Sequence, residues 1–214
     1  MNIRAKHLTV FASVAATLAL ALAPASASAA TRGAACLRTP GETIAQSRVY
    51  RIYKTTKVIS RSAEVFDVRV YSCRLDSVKL RRFRYSRWKN DLDATVYVNY
   101  ATIAGRYALV KLDTATGVSD TQWLLALDLR TGKRQMIDPG DDQGVGVNII
   151  TSTGGVLWVH EPGIAGQTLH AFDATGDHTI ATGDFSEPAA GGSTAYWMQG
   201  GVAHSYTFVG AAAK

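Results

Sequence analysis

Apolar and polar positions alternate along most of this chain. Val49-Tyr-Arg-Ile-Tyr53 and Val65-Phe-Asp-Val-Arg-Val-Tyr71 send every second side chain to one face, the period of a half-buried strand. The segments from Val96 to Tyr100, Tyr107 to Leu112, Gln122 to Leu129, Val156 to His160 and Tyr206 to Val209 follow in the same manner. Turn signals separate them, among them Ala104-Gly105, Thr131-Gly132, Gly154-Gly155, Thr175-Gly176, Gly191-Gly192 and Gly200-Gly201. Beyond the N-terminal region no helical period persists for more than a turn or two. Short strands at this spacing predict an all-β fold.

The pattern also repeats. Trp123-Leu-Leu-Ala-Leu-Asp-Leu-Arg-Thr-Gly-Lys133 returns as Thr168-Leu-His-Ala-Phe-Asp-Ala-Thr-Gly-Asp177, each copy ending an apolar run with Asp and a glycine turn. Gly105-Arg-Tyr-Ala-Leu-Val110 likewise matches Gly154-Gly-Val-Leu-Trp-Val159. A weaker copy begins at Gly192, where Ala203-His-Ser-Tyr206 echoes Leu169-His-Ala-Phe172, and a more divergent one occupies Ser47 to Phe83, with Tyr71 to Leu80 in the signature's place. A period of about 40 to 50 residues is close to that of a propeller blade. The expectation is a small or incomplete β-propeller of about four blades of antiparallel strands.

Leu125-Ala-Leu-Asp-Leu-Arg-Thr-Gly-Lys133 resembles the blade motif of quinoprotein-type β-propellers, and the chain is similar to uncharacterised secreted propeller-like proteins of high-GC Gram-positive bacteria. The resemblance implies the fold. It does not extend to a quinone: Gln135-Met136-Ile137 stands where the family places a Trp after the turn, and the chain is too short for the blades such enzymes need. No cofactor is expected.

The N-terminus carries Arg4, Lys6 and His7, then an apolar run from Leu8 to Ala23, then Pro24 and the small residues Ala25-Ser-Ala-Ser-Ala-Ala30. This three-part order is that of a secretory signal peptide. It predicts a leader over residues 1–30, one domain over 31–214, no transmembrane anchor, and a secreted or cell-envelope location. In that setting Cys36 and Cys73, the chain's two cysteines, are expected to form a disulfide, worth roughly 3 to 4 kcal/mol by loop-closure entropy.

Charge is unevenly distributed. From Arg48 to Lys89 stand 13 Lys and Arg against Glu64, Asp67 and Asp76; from Asn90 onward 6 basic residues face 13 acidic ones. The densest stretch interleaves Lys79, Arg81, Arg82, Arg84, Arg87 and Lys89 with Phe83, Tyr85 and Trp88. Guanidinium groups pair with phosphate or sulfate and aromatic faces stack on sugars or bases, so these nine residues are the candidate site for a polyanion. The competing reading is a charged edge strand that discourages sheet-to-sheet aggregation. Expected partners are an anionic cell-wall polymer, glycan or nucleic acid, with a protein partner at exposed sheet edges as a further expectation.

Catalytic signals are sparse. His160-Glu161 at a strand end reads as an acid/base pair or as an ordinary strand end before Pro162-Gly163. His170 and His204 hold equivalent repeat positions, which suits a shared metal or mere repetition. The acidic turn from Asp138 to Asp142 lacks the spacing of a calcium loop. No serine-hydrolase elbow surrounds Ser186 or Ser193, and no phosphate-cradling loop occurs. No catalytic residue and no metal site are therefore assigned. The sequence points to a secreted binding module, the alternative being an envelope polysaccharide hydrolase or lyase on the same scaffold.

Overall fold

The computed structural model describes residues 36–60, 65–77, 79–88, 95–116, 119–138, 144–161 and 166–213. The expected leader lies outside these residues, as do Lys89 and most of the acidic turn. Fifteen strands among the described residues form four antiparallel sheets, taken from the chain in order. The first sheet is β1 (Glu42–Gln46), β2 (Tyr50–Ser60), β3 (Val65–Arg74) and β4 (Leu80–Trp88). The second is β5 (Thr95–Ala104), β6 (Tyr107–Thr116), β7 (Ser119–Asp128) and β8 (Arg134–Ile137). The third is β9 (Gly144–Ile150), β10 (Val156–Glu161), β11 (Thr168–Asp173) and β12 (Gly176–Thr182). Only three strands make the fourth, β13 (Phe185–Gly191), β14 (Thr194–Gln199) and β15 (Val202–Thr207).

Within each sheet every strand pairs with its sequence neighbour, so tight turns suffice to connect them. The first strands adjoin one another in succession: β1 lies against β5, β5 against β9, and β9 against β13. The alternation seen in the sequence fills the spaces between sheets. Ala108, Val110 and Leu112 of β6 pack with Ile52 and Val70 of the first sheet, whereas Leu109, one position out of phase, packs with Val156 and Trp158 of the third. Leu157 and Val159 of β10 turn the other way, toward Ala195 and Trp197 of the fourth. The second and third sheets thus bury both faces, which explains why β7 and β10 read as nearly continuous apolar runs.

The repeated Asp has one job in both clear copies. Asp128 accepts hydrogen bonds from the N–H groups of Arg130 and Thr131, at 2.9 and 3.2 Å, and Asp173 accepts from the N–H of Thr175 at 2.8 Å. Each carboxylate fixes its own turn, as the repeat predicts. Asp173 does more, because its second oxygen accepts the N–H of Val209 at 2.8 Å. That bond corrects the expected strand from Tyr206 to Val209. β15 stops at Thr207, since Phe208 leaves the sheet to fill the space between the third and fourth sheets and Val209 is held at Asp173. The tail then runs on to Ala212, whose N–H reaches the Gly154 carbonyl, and Ala212 and Ala213 join the core.

At the other end, residues 36–38 form one turn of helix over the first sheet, where Cys36 is bonded to Cys73 as expected. Arg51, only 5% exposed, reaches the same segment. Its guanidinium donates to the carbonyls of Cys36, Leu37, Thr39 and Gly41 and to the Thr43 hydroxyl, over 2.8 to 3.3 Å. Among the described residues no helix is long and apolar enough to cross a membrane.

Candidate anion-binding site

The basic stretch forms β4, an outer strand of the first sheet paired on one side with β3. The register sets Arg81 opposite Ser72, Arg82 opposite Tyr71, Tyr85 opposite Arg69 and Arg87 opposite Asp67. Of the predicted site residues, Lys79, Arg81 and Arg82 are described with their side chains. For Phe83, Arg84, Tyr85, Arg87 and Trp88 the backbone alone is described, and Lys89 falls outside the described residues.

Behind the start of β4 lies a pocket of about 150 Å³ between the first and second sheets. Four cations line it: Arg74 at the end of β3, Lys79, Arg81, and Arg130 from the turn after β7. Hydroxyl groups come from Tyr50, Ser72 and Ser77, and among the described residues no carboxylate belongs to the lining. Arg81 bridges the sheets, its Nη2 donating to the Arg130 carbonyl at 2.7 Å. It lies across the signature turn so closely that a Cβ at Gly132 would come within 2.5 Å of its Nη1, and Gly132 itself has a φ of 81°. The positive φ favours glycine there, and a larger residue would also push the flexible end of Arg81 aside. Arg74 pairs with Asp76 at 2.8 Å, both groups being more than half exposed.

Arg74 and Arg130 were not among the residues singled out in the sequence, though a signal for Arg74 exists. Tyr50 pairs with Arg74 just as Tyr107 pairs with Asp128, and the N–H of Leu75 bonds the Val49 carbonyl as that of Leu129 bonds Arg106. The first sheet therefore carries Arg at the position where the second carries the turn-fixing Asp. A cation at the signature's acidic position is readable once the repeats are aligned by strand pairing.

The histidines assemble differently from expectation. His170 and His204 each stack on a Trp of their own sheet, His170 on Trp158 at 4.3 Å and His204 on Trp197 at 5.8 Å. Cross-strand pairing imposes this, since Trp158 faces His170 and Trp197 faces His204 in the ladders. His170 instead meets His160, with ring centroids 6.0 Å apart. Between them lies the Thr168 hydroxyl, 3.0 Å from His170 Nε2 and 3.5 Å from His160 Nδ1. Asp177 Oδ2 stands 3.2 Å from His170 Nδ1. Burial, with His170 nearby, pulls the His160 pKa below its ordinary value. Glu161 does not join His160; it accepts a hydrogen bond from Gln167 at 3.1 Å. Among the described residues no group of three or more His, Cys, Asp and Glu is placed to hold a metal.

The chain matches no family model, no curated protein and no solved structure. Its class rests on its own architecture: an all-β protein of four successive antiparallel sheets, with a cationic pocket where the first meets the second.

Proposed function

We propose that this chain is an exported binding module that holds an anionic cell-envelope polymer along β4, on a scaffold arranged as a small four-bladed propeller. The observation that carries the reading is the pocket behind β4, with four cations and three hydroxyl-bearing residues and, among the described residues, no carboxylate in its lining. Cations gathered around a concave site concentrate field and attract multivalent anions. No acidic residue interrupts the stretch from Lys79 to Lys89. The succession of first strands supports the blade arrangement. The test is binding to nucleic acid and teichoic acid across a salt series. For duplex DNA the slope of log affinity against log salt is expected near −3, about −0.9 for each of three or four neutralised phosphates. Replacing Arg81, Arg82, Arg84 and Arg87 by Gln flattens that slope. A wild-type protein that binds no polyanion at about 50 mM salt, or a quadruple variant that binds like its parent, overturns the proposal.

The enzyme alternative draws on one observation, the chain of contacts from Asp177 through His170 to the Thr168 hydroxyl. An imidazole oriented by a carboxylate beside a hydroxyl is a general-base arrangement. Turnover of an envelope glycan that disappears in Thr168→Val moves the function to the third sheet; its absence in the wild type removes this reading.

A further inference from the structure

Resting on the anionic-polymer reading and deepening it, we infer that the pocket between the first and second sheets binds a terminal phosphate monoester, the doubly charged end of the polymer chain. The cations approach from separate elements: Arg74 from the end of β3, Lys79 from the connection between β3 and β4, Arg81 from β4 itself, and Arg130 from the turn after β7. A group enclosed in this way must offer acceptors in several directions, as a tetrahedral phosphate does and a planar carboxylate does not. Charge narrows the choice further. Asp76 pairs with Arg74, and among the described residues no carboxylate joins Lys79, Arg81 and Arg130 in the pocket lining. Three such cations repel one another around an internal phosphodiester or a sulfate ester, each carrying one charge. A phosphate monoester carries about two near neutral pH and offers three terminal oxygens. The pocket volume of about 150 Å³ admits one such group with the first atoms of its ester. Arg81 is already anchored on the Arg130 carbonyl, so part of the site is organised before the ligand arrives.

The test titrates the full chain with inorganic phosphate, glycerol 3-phosphate and methyl sulfate, a singly charged sulfate ester, following amide shifts of Ser72, Ser77 and Arg130. Phosphate and its monoester are expected to saturate these shifts, and binding is expected to weaken as pH falls below about 6, where the ligand loses its second charge. No histidine lines the pocket to produce that trend from the protein side. Arg130→Gln is expected to weaken binding about tenfold, and Lys79→Gln serves as the second variant should Arg130→Gln fail to fold. Arg82→Gln, on β4 but outside the pocket, leaves phosphate affinity unchanged while reducing polymer binding. Equal affinity for methyl sulfate, pH-independent phosphate binding, or parental affinity in both pocket variants overturns the inference. Salt-dependent polymer binding without phosphate saturation leaves the β4 surface standing and removes the pocket site. Phosphate saturation without polymer binding does the reverse.

Discussion

The two ends of the chain are fastened by opposite chemistries. At the N-terminal end a buried cation, Arg51, gathers backbone carbonyls from residues 36–41, and a disulfide fixes the same segment. At the C-terminal end a fully buried anion, Asp173, gathers backbone N–H groups, those of Thr175 and Val209, along with the Thr175 hydroxyl. A guanidinium has donors alone and a carboxylate acceptors alone, so each suits the backbone groups left over where a segment leaves its sheet. The difference lies in what can undo them. Arginine keeps its proton throughout the accessible range, whereas a carboxylate gives up its role when protonated. The N-terminal clasp answers to reductant, the C-terminal one to acid.

The comparison is broken most severely at the N-terminal end. Cys36→Ser or Cys73→Ser is expected to cost about 2 to 5 kcal/mol, read as a lowered urea midpoint. Arg51→Met in the same background should cost less than it does alone, because both ties hold one segment; additive losses would show that they act independently. Asp173→Ala comes next, at about 2 to 4 kcal/mol, since it strands two backbone donors. Hydrogen exchange at Val209 should accelerate in that variant, while Asp128→Ala, which serves only its own turn, costs about 0.5 to 2 kcal/mol and leaves Val209 protected.

A smaller effect sharpens the contrast by pH. Burial raises the Asp173 pKa, but hydrogen bonds from Thr175 and Val209, with His178 adding attraction, outweigh it and hold the carboxyl below its ordinary value. The unfolded chain therefore binds the proton more readily, and this stabilisation is complete above about pH 4 and lost as pH falls through the lowered value. His160, also lowered, acts earlier: its contribution is complete above about pH 6.5 and declines below it. Two acid-dependent losses are expected, one at β10 and one where the end of β11 holds the C-terminal tail. Denaturant midpoints should show His160→Gln removing the upper step and Asp173→Asn the lower; a curve unchanged by either substitution would detach these groups from acid sensitivity.

Much of the fold was legible because packing and pattern coincide. β2, β3, β6, β7 and β10 alternate or run apolar in proportion to how many of their faces are covered, and the Asp-to-glycine signature marks turns at Asp128 and Asp173. The short outer strands β8 and β12 carried weaker patterns. Arg51 was opaque because an Arg within an alternating strand reads as facing water; only the carbonyls of a distant segment make its burial tolerable. The pairing of His170 with His204 came from repeat position, but each repeat supplies its own Trp, and an aromatic neighbour across the ladder decided where the ring lies. At the candidate site the cations of β4 were plain, whereas the pocket needs Arg130 from the next sheet, a contact no local reading contains.

The way the sheets are cut from the chain bears on how the molecule assembles. Each is built from one contiguous stretch, so its ladders require only short loops to close, and the order of synthesis is also the order of sheets. The second sheet cannot cover both faces until the third arrives, and the third waits on the fourth and on Phe208. The final residues are thus the last to find their place. A chain halted before Phe208 would carry every strand of its four sheets yet lack both the ring that fills the space between the third and fourth and the Val209 N–H that closes on Asp173, a nearly complete protein still lacking its latch.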